Sequence, residues 1–190
     1  MPQKSLYKKL NDYWSGDCES LQRAREKQFY EKDNSGKVGT KPKSKAKSNL
    51  RTSHKHKKLH ILVCGGRHFD DYDLLEKIID DVVSKSGCND IEIIRGHCAG
   101  ADRLGELYAE RHNALSKIFP AEWKKYGKCA GPIRNKQMID YISEFEHKIV
   151  IAFTSANTKG TKNTIALAKK TNIPIIEMEY NISNKPKNFS

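Results

Sequence analysis

Four short stretches of this chain combine small residues with cations in a way that suits an anion. They are Gly65-Gly66-Arg67, Gly96-His97 running on to Gly100-Ala101-Asp102, Gly131-Pro132 followed by Arg134-Asn135, and Gly160-Thr161. Glycine and alanine keep side chains out of a turn, so a phosphate can approach the free backbone N–H groups of a helix start. Arg67 and Arg134 offer planar forks that match phosphate oxygens, and Asn135 adds an amide. His97 can donate to an oxygen, and Thr161 can add a hydroxyl or cap the helix behind it. Asp102 can accept from a ribose hydroxyl or act as acid or base, although a carboxylate in a first helical turn is also favourable through the dipole alone. Glu122 is a second acid–base candidate. Beside it, Trp123 presents a flat ring that can stack on a base or pin a long loop. Cys98 adjoins a helix start but has no base beside it in sequence, so no thiolate nucleophile is inferred.

Each of these stretches needs a strand before it or a helix after it. His60 to Cys64, HILVC, reads as a buried strand, and Asp70 or Asp71 caps a helix whose Leu74, Leu75, Ile78, Ile79, Val82 and Val83 share one face. Ile91 to Arg111 then holds a β-branched run, the small-residue loop, and helical spacing from Ala101 through Leu104, Leu107, Tyr108 and Arg111. Leu115 to Phe119 is a short third strand. The piece PAEWKKYGKCAG is irregular and forms the longest loop, after which Pro132 is placed as the first residue of a helix. Lys148 to Phe153 is a fourth strand, the helix with Ile165, Leu167 and Ala168 follows, and Ile173 to Met178 is a fifth strand.

This alternation calls for an α/β fold: a Rossmann-like open parallel sheet of about five strands with right-handed crossovers and helices on both faces. In such a sheet the glycine loops all fall at the carboxyl edge, where ligands lodge and helix N-termini point.

Charge divides the chain. Residues 1–58 hold 16 Lys+Arg against 6 Asp+Glu, a net of +10, which leaves +2 of the total +12 for residues 59–190. Residues 1–32 are expected to be a short helical N-terminal extension, 33–58 a basic flexible linker, 59–178 the folded domain, and 179–190 a C-terminal tail. The basic arm suits a polyanion such as nucleic acid and equally suits a merely solubilising tail. Five cysteines without a CxxC pair suggest neither a disulfide framework nor a zinc site, and no metal is expected. No apolar run approaches the roughly 20 residues that span a bilayer, so a cytoplasmic protein without a membrane partner is expected. The oligomeric state is open, homo-oligomers included.

The motifs GGRHFDD at 65–71, GHCAGAD at 96–102, FPAEWKKYGKCAGPIRN at 119–135 and KGTKNTIALAKKTNIP at 159–174 together resemble the YspA-type, cpYpsA-related branch of the SLOG superfamily. The resemblance covers residues 60–178. It implies a Rossmann-like domain with a site for a nucleotide or nucleotide-derived ligand, of the ADP-ribose or nucleoside monophosphate type. It is similar to the LOG phosphoribohydrolases, which cleave an N-glycosidic bond, and more distantly to the DNA-binding DprA proteins. Two departures matter. His97 and Ala99 stand in a loop where related sequences often have a second glycine and an arginine, and ANTKGTKNT replaces the LOG motif PGGxGTxxE, with Thr164 at the glutamate position. Loss of that carboxylate lowers the expectation of LOG-type hydrolysis.

The expected function is therefore nucleotide binding at the sheet's carboxyl edge, with N-glycosidic hydrolysis as the candidate reaction and no certain cofactor. The alternative is a nucleic-acid-associated, DprA-like binding or sensor protein that uses its basic N-terminal arm.

Overall fold

A computed structural model describes residues 57–181. The helices expected within residues 5–32, the linker, and most of the C-terminal tail lie outside the described residues.

Five parallel strands form one sheet: β1 Lys58–Gly65, β2 Asp90–Arg95, β3 Leu115–Ile118, β4 Lys148–Thr154 and β5 Ile175–Glu179. Their spatial order is β3-β2-β1-β4-β5, so the chain winds outward from β1 on one side, returns, and winds outward on the other. β1 pairs with β2 from Lys58 opposite Asp90 to Leu62 opposite Ile94, and with β4 from His60 opposite Lys148 to Gly65 opposite Phe153. The reversal lies between β1 and β4. Carboxyl-end loops on either side of such a reversal diverge and open a crevice.

The two central strands are buried along nearly their whole length, which explains their continuous rather than alternating hydrophobicity. Helix α1 (Tyr72–Ser86) begins at Asp71, whose side chain accepts the amide of Leu74 at 3.0 Å, and ends at Gly87 in the left-handed region, φ 62°. That is the cap pair expected of an Asp start and a Gly stop. Helix α2 (Ala101–Arg111) packs Gly105 against Val63 and Ile93, where an added methyl would stand 3.3–3.5 Å from their side chains. Helices α4 (Ala130–Ser143) and α5 (Lys159–Lys170) cover the opposite face, where Met138, Ile139, Ile142, Ile165 and Ala168 pack on Leu62, Cys64, Ile94, Val150 and Ala152.

Three local expectations are corrected. The segment before α4 is not irregular, because it holds the helical turn α3 (Trp123–Tyr126) and a 3-10 turn over Gly127–Cys129. Pro132 is the third rather than the first residue of α4; its missing N–H costs nothing there, since the whole first turn lacks intrahelical acceptors. Glu179 and Tyr180, at the start of the expected tail, belong to the fold: Glu179 ends β5, and the Tyr180 amide donates to the Thr154 carbonyl at 2.9 Å. β3 is an exposed edge strand, with Leu115 55% and Ile118 39% exposed.

Candidate functional site

Beyond the carboxyl ends of β1 and β4 lies a cavity of about 830 Å³. Five chain segments wall it: Cys64 to His68 after β1; Cys98 and Asp102 after β2; Trp123, Lys128 and the first part of α4; Ser155 to Thr164 around the start of α5; and Tyr180 after β5. Its lining is rich in cations, with Arg67, Lys128, Arg134 and Lys159, and Asp102 is the one carboxylate among them. Among the described residues no group of His, Cys, Asp and Glu is arranged to hold a metal, and no helix is long and apolar enough to cross a membrane.

The glycines divide into two kinds. A methyl on Gly96 would fall on the Arg134 guanidinium, one on Gly66 would fall on the Tyr180 hydroxyl, and one on Gly100, at φ 82°, would fall on the Gly66 carbonyl. At Gly65 a methyl would come within 2.6 Å of the Ala101 Cβ and 2.9 Å of Phe153. These positions are small because protein packs against them. Gly160 has no atom within reach of an added methyl, and Gly131 only the Trp123 ring edge at 3.5 Å. Backbone that a ligand can approach is therefore at the starts of α4 and α5 rather than at the start of α2.

The loop after β2 contributes less than its sequence suggested. Gly96, His97, Gly100 and Ala101 do not line the cavity: Gly96 is buried, Ala101 is fully buried beneath Gly65, and His97 faces solvent. Glu122 is also outside the cavity, exposed and 3.9 Å from Lys125. The expected Gly65, Gly66, Arg67, Asp102 and Trp123 are brought together in the wall, as are Gly131, Pro132, Arg134, Asn135, Gly160 and Thr161. Trp123 is 52% exposed, so it rims the opening rather than pinning a loop to the core.

At the cavity floor a polar network joins three elements. Asp102 is only 6% exposed; its Oδ2 accepts the Cys98 amide at 3.2 Å and stands 3.7 Å from Arg134 Nη1. Burial pushes the Asp102 carboxyl up to about 6, while Arg134, the Cys98 amide and Arg95 pull the other way. Arg134 donates through Nε to Asn135 Oδ1 at 3.0 Å and through Nη2 to Cys98 Sγ at 3.8 Å. Asn135 spends its amide protons on the Gly160 carbonyl at 3.2 Å and Asn163 Oδ1 at 3.1 Å, which ties α4 to the first turn of α5. Behind the floor, buried Arg95 pairs with Glu106 and donates to Ser116 Oγ at 3.2 Å and the Gly96 carbonyl at 3.2 Å, holding the end of β2.

The start of α5 is shaped by Thr158. Its hydroxyl accepts the Ser155 amide at 3.1 Å and donates to the Ser155 carbonyl at 2.9 Å, so this N-cap residue turns its oxygen away from the helix. No side chain caps α5, α4 or α2; the Lys159 and Ala130 amides donate to the Asn157 and Gly127 carbonyls, and the later first-turn N–H groups are left for another acceptor. Thr161 is 5% exposed and lines the cavity from inside that first turn.

Within the described chain, β1, β2 and the first glycine loops belong to a segment with known kin. Residues 59–126 match the YspA, cpYpsA-related SLOG family. The chain is also similar to the Gene 61 protein of Mycobacterium phage D29, 26% identical over 131 residues that make up 66% of this chain and 98% of that protein. Among solved structures it is similar to the crystal structure of a predicted subunit of tRNA methyltransferase from Methanocaldococcus jannaschii, at 16% identity and a TM-score of 0.37, over 66% of this chain and 70% of that one.

The SLOG match ends at Tyr126 and so includes only part of the cavity wall. Gly65 to Arg67, Asp102 and Trp123 fall inside it; Arg134, Asn135, Gly160, Thr161 and Tyr180 come from later in the chain. Sequence reasoning had singled out most of these by their glycines and arginines. It missed Ser155, Thr158, Asn163 and Tyr180, whose side chains are ordinary loop, cap and tail residues until the fold places them at one edge. The S-A-N-T run before Lys159 was the available signal for Thr158, as an N-cap before a helix.

Proposed function

We propose that this protein binds a nucleotide or nucleotide-derived ligand in the cavity at the carboxyl edge of its sheet. The observation that carries this reading is the convergence of uncapped helix starts and the side chains of Arg67, Lys128, Arg134 and Lys159 on one cavity with a single carboxylate. Backbone N–H groups at helix starts and guanidinium forks favour phosphate oxygens. The exposed indole of Trp123 at the rim is placed to stack on a base. The volume, about 830 Å³, is in the range that encloses a compact small molecule.

Asp102 is the acid–base group of this reading. A carboxyl that titrates near 6 exchanges protons close to neutral pH, which suits a group that activates water or steadies an oxocarbenium-like centre in N-glycosidic hydrolysis. Thr164, at the position of the LOG glutamate, is 1% exposed and offers its hydroxyl to the Gly160 carbonyl at 3.4 Å, so no carboxylate replaces it from that helix.

The test is a thermal-shift and calorimetric screen of the full chain with AMP, ADP-ribose and NAD, with chromatography of the products for released base. A ligand above its dissociation constant raises the melting temperature by mass action. If none of the three shifts the melting point or perturbs the amide resonances of residues 158–162, the reading fails.

The charge of residues 1–58 favours a second role, in which the arm holds nucleic acid and the domain senses a ligand. Removal of residues 1–56 should then abolish salt-sensitive binding to DNA or RNA and leave small-ligand binding intact. An intact chain that ignores both nucleic acids at low salt excludes it.

A further inference from the structure

Two side-chain polar atoms among the described residues are buried without a hydrogen-bond partner, Arg134 Nη1 and Tyr180 Oη. Both residues line the same cavity. Arg134 was legible as an anion ligand from the sequence. Tyr180 was not, and it lies beyond both the SLOG match and the last predicted strand.

The Tyr180 ring is held firmly. Its backbone amide is bonded to Thr154, and its ring meets Phe69 edge-on at 5.1 Å, while Phe69 stacks on Phe153 at 4.1 Å. Those contacts carry the hydroxyl over the backbone of Gly66, close enough that a methyl on that glycine would occupy its place and would also come within 2.9 Å of Thr158 Cγ2. A phenol oxygen brought this far inward loses water, and buried hydroxyls ordinarily find a partner. Here the surrounding polar groups are already engaged: the Gly66 carbonyl accepts Phe69, and the Thr158 hydroxyl is spent on Ser155.

We infer that Tyr180 is a ligand-binding residue, whose hydroxyl donates to a phosphoryl oxygen held between Gly66 and the start of α5. The inference rests on the proposed nucleotide-binding reading and names the chemistry of one end of that ligand. A donor is required there rather than an acceptor, because the uncapped first turn of α5 presents N–H groups and the flanking side chains, Arg67 and Lys159, are cations. The ring contacts hold the hydroxyl beside the cavity, and because it has no exposed surface without ligand, the anion reaches it as the ring or the Gly66 loop shifts outward. The residue just after β5 thereby takes part in the site, and the bond of its amide to Thr154, which continues the pairing of β5 with β4, is what brings it there.

The experiment compares the full chain with Tyr180→Phe and Arg134→Ala, measuring the affinity of ADP-ribose and of inorganic pyrophosphate by calorimetry and the melting point without ligand. Phenylalanine keeps the packing on Phe69 and removes only the oxygen. The expected result is about tenfold weaker binding of both probes by Tyr180→Phe, the loss of one hydrogen bond to a charged group, with an unliganded melting point equal to or above that of the parent. Unchanged affinity in Tyr180→Phe, with binding weakened in Arg134→Ala, overturns the role of Tyr180 and leaves the cavity reading standing. Weaker binding of ADP-ribose alone overturns the phosphoryl assignment. A melting point lowered by several degrees in Tyr180→Phe shows a structural partner for the hydroxyl and overturns the inference, and a parent chain that binds neither probe overturns both readings.

Discussion

Arg134 Nη1 stands 3.7 Å from Asp102 Oδ2, both side chains nearly buried, at the meeting of the first turns of α4 and α2. The separation exceeds a hydrogen bond, so the guanidinium offsets the buried negative charge without being consumed by it. That leaves Nη1 buried without a hydrogen-bond partner and leaves the carboxyl able to take up a proton near neutral pH.

Asp102 should make the protein less stable as pH rises. Its folded-state carboxyl titrates near 6, above its ordinary value of 3.8, so the folded state binds the extra proton between those values and loses stability as pH climbs through that window. Asp102→Asn, which keeps an oxygen to accept the Cys98 amide, should be more stable than the parent at pH 7 by on the order of 2–3 kcal/mol. The difference should shrink to nothing below pH 4. Denaturant unfolding at pH 4, 5.5 and 7 measures it, and equal stabilities at pH 7 would contradict the assignment.

Removal of the guanidinium should drive the same carboxyl higher still. Arg134 is the largest of the influences that oppose burial at Asp102, so Arg134→Met should raise the carboxyl above 6 and weaken phosphate-bearing ligands. The carbon-13 shift of the Asp102 carboxyl, followed against pH, reports the direction. A downward move would be inconsistent with the geometry.

The glycines should rank by what stands against them. Gly100→Ala forces a side chain onto a left-handed φ and into the Gly66 carbonyl, and should cost about 2–4 kcal/mol. Gly96→Ala meets side-chain ends rather than backbone, the Arg134 guanidinium and Asp102 Oδ2 at 2.5 Å, so it should cost less stability than Gly100→Ala while displacing both groups and lowering ligand affinity. Gly160→Ala meets nothing, and in a helical first turn should be neutral or stabilising by about 0.5 kcal/mol. Parallel chemical unfolding of the three variants tests the order.

Asn135 should act as the clasp between α4 and α5. It is 4% exposed and holds Gly160, Asn163 and Arg134 at once. Asn135→Ala strands the carbonyl and amide it served, at a cost of about 1–3 kcal/mol. Faster amide exchange confined to residues 159–163 and 134–138 would show the clasp opening, and uniform exchange rates would speak against it.

Much of the frame was readable from single residues. The apolar, largely β-branched runs at 61–63 and 149–151, Asp71 before α1 and the helical spacing from Ala101 specify local backbone, which depends on neighbours a few positions away. The expected strand-to-helix order then puts every strand-end loop at one edge, because parallel strands all end on the same side of the sheet, while right-handed crossovers decide which face each helix covers. Pro132 and the α3 turn were misjudged, since a tolerated proline in a first turn leaves the same trace as a starting one.

Sequence alone determined that glycines, two arginines and a carboxylate would gather at the carboxyl rim of a parallel sheet, since periodicity and chain connectivity act locally. Only the tertiary structure decided which glycines face a cavity and which accommodate protein atoms, that Asp102 lies deep enough to titrate near 6, and that Tyr180 reaches back over Gly66. Burial, desolvation and close approach are properties of residues distant in the chain, and the order of amino acids carries no direct record of them.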